Sequence, residues 1–192
     1  MKLALALSNL LAALRKQQTS FAVVGGLAAS ARGEARFTRD VDVAVAVNTD
    51  AEAEAVVFAL KQSGYTLVAT VEQERTHRLA TARLRDRDGV VCDLIFATCG
   101  IEREIIDSAE PLELFENLIV PTATAEALLA MKTLSASSKR PRDLEDIRAI
   151  TRESPMFDEA LVQAFLLKIE SRGYGRGEQL LEKWQQLRRD LG

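Results

Sequence analysis

The chain has 192 residues, with 25 Lys or Arg against 28 Asp or Glu, a net charge of −3, 47% hydrophobic residues and 28% charged. This balance excludes a disordered polymer and gives no support to a generally basic nucleic-acid binder, so any polyanion contact must come from local basic clusters. The length suits one large domain, or a core domain with a helical appendage, and two cysteines without metal-ligand spacing fit a reducing, cytoplasmic compartment.

The first segment, MKLALALSNLLAALRK, places Leu3, Leu7, Leu10, Leu11 and Leu14 on one helical stripe. Asn9 interrupts the run, and the run is too short to span a bilayer. The expectation is an amphipathic first helix, packed internally or against a second copy, with no membrane association. Phe21 to Val24 reads as a short buried strand, broken by Gly25-Gly26, after which LAASAR has helical composition. Residues 40 to 47 alternate strictly: Val41, Val43, Val45 and Val47 share one face, and Asp40, Asp42, Ala44 and Ala46 share the other. Residues 50 to 62 predict a helix, and 65 to 71 a strand. HRLATARL and VVCDLIFA form a hairpin about a turn at Asp88-Gly89, with Asp93 amid apolar residues and Cys92 as a small core residue.

Residues 112 to 120 predict a short edge strand before Pro121. Beyond it the character turns helical. Thr124 is the expected N-cap of TATAEALLAMKTLSAS, and Pro141 suits the first turn of PRDLEDIRAITR. Residues 158 to 171 and 176 to 190 predict two further helices. The fold class is therefore mixed α+β, with residues 1–120 as a core and 121–192 as a helical subdomain packing on it.

Three carboxylates, Asp40, Asp42 and Asp93, lie in strand-like surroundings, where an unpaired charge is costly. Residues i and i+2 of a strand point the same way, so Asp40 and Asp42 stand side by side. A third acid from a neighbouring strand would complete an all-oxygen set suited to Mg²⁺ or Mn²⁺. Two such ions, about 3.5–4 Å apart, support phosphoryl or nucleotidyl transfer. A strand ending in Gly-Gly before a helix exposes backbone amides, which is an anion site. Simpler readings compete: Asp40 pairing with Arg36 or Arg39, Gly25-Gly26 as a mere turn, Asp93 on a solvated edge, Lys132 as a snorkelling surface lysine, Asp143 and Asp146 as first-turn acids. The cluster Lys139, Arg140 and Arg142 is either a phosphate contact or a solvated loop. The Arg83–Arg87 run reads as hairpin surface or a second RNA contact, His77 as a strand residue without catalytic duty, and Trp184 as a packing anchor.

The strand–GG–helix followed by Asp40-Val41-Asp42, with Asp93 in CDLIF, resembles the signature of the DNA polymerase β-like nucleotidyltransferase superfamily. Lys132 in LLAMKTLSA followed by RDLEDI at Arg142 to Ile147 resembles the AbiEii-type nucleotidyltransferase toxins of bacterial toxin–antitoxin systems. The resemblance covers roughly residues 20 to 150. It implies a small mixed sheet flanked by helices, with a helical carboxy-terminal part closing a nucleotide cleft. It also implies metal binding by Asp40, Asp42 and Asp93, with Asp93 as third ligand or general base. Lys132 would contact the triphosphate, and Asp143, with Asp146, would orient that lysine or the acceptor. The implied nucleotide-binding set is Gly25, Gly26, Thr38, Lys132 and Arg142.

The expectation is a metal-dependent nucleotidyltransferase moving an NMP from an NTP to an acceptor hydroxyl. Its acceptor would be RNA, tRNA in particular, and an antitoxin its partner. A small-molecule antibiotic acceptor is the alternative within the class, and the net negative charge leans toward it. A non-catalytic nucleotide-binding module is the alternative outside it. A plain helical partner-binding protein is disfavoured by the strand-rich first half.

Overall fold

Helix α1 (Lys2–Lys16) turns Ala6, Leu7, Leu10, Leu11 and Leu14 inward, so the leucine stripe is spent on the protein's own core. The computed structural model, which describes residues 2–191, continues with β1 (Phe21–Val23), α2 (Gly25–Arg32), β2 (Asp40–Val45), α3 (Asp50–Gln62), β3 (Thr66–Glu72), β4 (Leu79–Arg85) and β5 (Val91–Ile95). It then runs through α4 (Glu102–Asp107), β6 (Glu110–Phe115), β7 (Leu118–Thr122), α5 (Ala125–Ser135), α6 (Pro141–Glu153), α7 (Glu159–Ser171) and α8 (Leu180–Leu191). Among the described residues no helix is long and apolar enough to cross a membrane.

All the strands join one mixed sheet in the order β3-β4-β5-β2-β1-β7-β6. Strand β2 runs antiparallel to β1 and parallel to β5, which places it in the centre. Alternation along β2 separates two cores. Val41, Val43 and Val45 pack with α1, α3 and the Cys92 and Leu94 side of β5. Ala44, on the opposite face, packs with Ala22, Val24 and a helical layer drawn from α2 and α4 to α8. Small residues on that face let helices approach closely.

Capping follows the sequence. Thr124 accepts from the Ala127 amide at 3.3 Å and starts α5, Pro141 opens α6, and Asp158 caps α7. Trp184 is fully buried, and its indole N–H donates to Glu159 at 2.9 Å.

Three local features differ from the sequence reading. The single edge strand over 112–120 is a hairpin, β6–β7, turned at Asn117 with φ of 61°. Its inner strand β7 also reaches β1 in parallel register, Val23 opposite Thr122. A left-handed Asn is a common device for reversing a chain between strands. The short helix α4 fills residues 102–107, where no periodic apolar pattern marks it. His77 is not in a strand: it sits exposed in the turn between β3 and β4 with φ of 54°.

The seating of α1 predicts a contrast between two leucines of one helix. Leu11→Ala, at a fully buried site, should lower unfolding free energy by about 2–5 kcal/mol. Leu5→Ala, at 54% exposure, should change it by less than about 0.5 kcal/mol. Urea denaturation of both variants checks this, and equal losses would show that the stripe is seated differently.

Candidate active site

Strand register assembles the acids. Asp42 of β2 lies directly opposite Asp93 of β5, and Asp93 lies opposite Arg83 of β4. Asp42, Asp93 and Arg83 therefore form a row across three strands on one face. The neighbouring row is Asp40, Val91 and Arg85. Adjacent strands are about 4.8 Å apart, so Asp42 and Asp93 are immediate neighbours. Strand β5 is interior, so Asp93 is not on a solvated edge.

The glycines are shaped by this row. Gly25 adopts φ of 62°, and a Cβ placed there would overlap the Asp42 carboxylate. Gly26, next in the chain, donates its amide to Asp42 Oδ2 at 3.3 Å. A Cβ on Gly26 would meet Thr38 Oγ1 at 2.6 Å and Arg36 Nη2 at 3.1 Å. The start of α2 thus fits between Asp42 on one side and Thr38 with Arg36 on the other. Val24 provides no side-chain cap, so the first amides of α2 remain directed at that cleft.

A second cluster borders the first. Lys132 Nζ lies 2.6 Å from Asp143 Oδ1 and 2.8 Å from Asp146 Oδ2. Arg36 grips Asp146 with two hydrogen bonds, Nε at 2.7 Å and Nη2 at 3.1 Å. The Asp143 and Asp146 side chains are 11% and 3% exposed, and Lys132 is 13% exposed. Two cations and two acids balance, which is the condition for keeping such groups buried. Lys132 is therefore no snorkelling surface lysine, and the two acids do more than stabilise a helix end. Arg142 projects into solvent with Lys139 and Arg140, and none of the three has an ion-pair partner among the described residues. Arg36 is committed to Asp146 and Arg39 stacks on Phe37 at 5.2 Å, so Asp40 has neither as a partner.

Charge balance differs across these two rows, where Asp40, Asp42 and Asp93 share a face with Arg83 and Arg85 and only Asp93 is ion-paired, to Arg83. Burial, then the charges of Asp93 and Asp40, push the Asp42 carboxyl from its ordinary 3.8 up to about 6. The Gly26 amide and Lys132 offset this in part. Among the described residues no three acid, histidine or cysteine side chains converge into a ready-made metal cage. Both oxygens of Asp93 accept from Arg83, at 2.9 Å and 2.7 Å. Asp40 and Asp42 nonetheless fit a hard divalent cation, since they offer oxygen donors only and Asp42 carries a deficit of positive charge. A cavity of about 530 Å³, lined in part by Ala46, Arg78, Gly100 and Tyr174, lies past the other end of β2. Its first lining residue on β2 is Val45, about 10 Å along the strand from Asp42.

Strand β1 running into two glycines at a helix start, with Asp40 and Asp42 on its neighbour β2, is the arrangement of the polymerase β-like nucleotidyltransferase fold. The model of the nucleotidyl transferase AbiEii toxin family, type IV TA system, matches residues 9–191, and the chain belongs to that family. It is similar in fold to ANT(2")-Ia in complex with adenylyl-2"-tobramycin, with TM-score 0.58 and 14% identity, covering 90% of this chain and 99% of that one. The solution structure of the antibiotic-resistance factor ANT(2'')-Ia aligns with TM-score 0.55 and 20% identity, over 89% and 92% of the two chains. A nucleotidyltransferase-like chain from H. pylori aligns with TM-score 0.49 and 16% identity, over 100% and 97%. No curated protein matches the chain by sequence.

Two residues escaped the sequence reading as members of the site. Arg36 joins Asp146 across 110 positions of sequence, for which no local pattern exists. Arg83 could have been found: in a hairpin centred on Asp88, the residue five before the centre pairs with the residue five after it, which is Asp93.

Asp42 yields a pH prediction. Its folded pKa lies above its unfolded value, so between about pH 4 and 6 the folded state binds the extra proton and stability falls as pH rises. Above pH 6 the ionised carboxylate opposes folding by on the order of 3 kcal/mol. Asp42→Asn should therefore raise the melting temperature of the protein in chelator at pH 7.5, with the gain vanishing near pH 3.5. An equal or lower melting temperature at pH 7.5 would refute the burial argument. Gly25→Ala should cost transferase activity by more than about 100-fold through displacement of Asp42, with a stability loss of only about 1–2 kcal/mol. Parallel activity assays and denaturation curves separate the two effects.

Proposed function

We propose that this chain is a cytoplasmic, divalent-metal-dependent nucleotidyltransferase that moves an NMP from an NTP to a hydroxyl of RNA, foremost tRNA. We read it as a toxin held in check by an antitoxin protein. The observation that carries the proposal is the strand register placing Asp42 beside Asp93, with the start of α2 against Asp42.

In this reading Asp40 and Asp42 hold the cation, with Asp93 as the third carboxylate of a two-ion set of Mg²⁺ or Mn²⁺. Bound there, the metal would screen the triphosphate oxygens and sharpen the attacking hydroxyl. The amides of Gly25 and Gly26, with Thr38, receive triphosphate oxygens in the manner of helix-start anion sites. Lys132 adds a positive charge to that cradle, and Asp143 and Asp146 fix its ammonium. The acceptor oxygen forms a bond to the α-phosphorus, and the bond from that phosphorus to the pyrophosphate breaks. The hydroxyl proton passes to Asp93, the acid nearest Asp42. The unpaired Lys139 and Arg140, just before α6, and Arg142 in its first turn suit RNA phosphates.

A small-molecule acceptor is the second reading. It is favoured by the net charge of −3 and by the fold shared with ANT(2")-Ia, whose structure contains an adenylylated tobramycin. A cationic acceptor would be drawn to the acid surplus.

The deciding assay incubates the protein with each α-labelled NTP, Mg²⁺ or Mn²⁺, and total tRNA or an aminoglycoside. Label should enter RNA and disappear in Asp40→Ala and Asp42→Ala. Label on the aminoglycoside instead would transfer the assignment to the second reading, and label on neither with no metal-dependent NTP binding would overturn the enzyme assignment. Lys132→Ala should cut transfer at least about 100-fold. Because it leaves two buried acids facing one arginine, it should also destabilise the fold by about 3–5 kcal/mol in thermal denaturation.

A further inference from the structure

Arg83 is the one residue of the acid row with no place in the chemistry above, yet it makes the row's best-formed contact. Its guanidinium donates to both oxygens of Asp93, from Nε at 2.9 Å and Nη2 at 2.7 Å. Such a fork is the strong, planar form of an arginine–carboxylate pair. It engages the same oxygens that a cation or a transferable proton would need. Asp93, and less strongly Asp40 and Asp42, raise the guanidinium further above its ordinary pKa.

The two partners differ in freedom. The Asp93 side chain is 11% exposed and fixed on an interior strand, whereas that of Arg83 is 50% exposed. Beside Arg83 on the outer strand β3 stands Ala69, which is exposed and small. Arg83 therefore has an open path away from the row, toward the outer edge of the sheet, and Asp93 has none.

We propose that Arg83 is a positioning residue that latches Asp93: its fork competes with the divalent cation for the carboxylate and lets go when anionic substrate offers the guanidinium a phosphate partner. Only then does Asp93 join Asp40 and Asp42. The latch keeps a surplus acid neutralised in the resting cleft and couples the readiness of Asp93 to the arrival of substrate. It rests on the metal-dependent reading of the acid row.

The test is Mn²⁺ binding to the full-length protein without nucleotide, measured calorimetrically for wild type, Arg83→Lys, Arg83→Gln and Arg85→Gln. Arg83→Lys keeps the charge but cannot form the fork, and Arg85 lies on the same face one row away without a carboxylate partner. Both Arg83 variants should bind Mn²⁺ roughly tenfold more tightly than wild type, since freeing a carboxylate adds a ligand. Arg85→Gln should shift the affinity by less than about threefold. A gain in Arg83→Gln that is absent from Arg83→Lys would reduce the effect to simple charge and overturn the latch, as would equal or weaker binding in both. Binding by none of the four proteins would overturn the metal reading together with the latch. Addition of a non-hydrolysable NTP should erase the difference between wild type and Arg83→Lys, and a difference that persists with nucleotide bound would overturn the release step.

Discussion

Two carboxylates stand beside each other on neighbouring strands, and the rest of the site answers to that fact. The parallel pairing of β2 with β5 sets Asp42 against Asp93, at a spacing where the Asp93 charge raises the cost of ionising Asp42. Gly25 leaves the room Asp42 occupies, Gly26 gives it an amide, and Arg83 neutralises its neighbour. The consequence is a face that remains short of positive charge after every protein partner has been counted. A divalent cation and the helix-start amides are the complements to such a surplus of oxygens.

The second cluster solves a different problem. Lys132, Arg36, Asp143 and Asp146 neutralise one another, and their positions tie α5, α6 and the loop before β2 into one unit. Geometry of this kind holds an ammonium in place rather than leaving it to wander on its four-carbon stem. The small residues on the acid-bearing face serve the same end. Ala22, Ala44 and Ala97 let the helical layer lie close over the sheet, and that layer brings Lys132 near enough to offset part of the burden on Asp42. Rigid packing behind the site therefore contributes directly to its electrostatics.

Local pattern carried much of this. The alternation of Asp40 to Val45 identifies a strand with a valine core face and an acid face, because side chains of a strand alternate whatever their partners. Thr124, Pro141 and Asp158 mark helix starts by chemistry confined to one turn. Helix α4 and the β6–β7 hairpin were not legible, since six residues without a periodic apolar stripe and a reversal at Asn117 leave little local trace. His77 was misplaced for the same reason: a single left-handed residue is invisible to periodicity.

Local pattern along the chain marks the candidate residues and their order: two glycines, two acids at strand spacing, a third acid, a lysine and a pair of acids one turn apart. Tertiary structure alone decided which of them meet. The opposition of Asp42 and Asp93 depends on a parallel pairing between strands separated by a helix and a hairpin, and the Arg36–Asp146 bridge closes 110 positions of chain. Such pairings are set by which faces can be buried together, a property of the packed whole that no single stretch of sequence displays. That is why Arg83 reads as surface along the chain, while in the fold it holds both oxygens of Asp93.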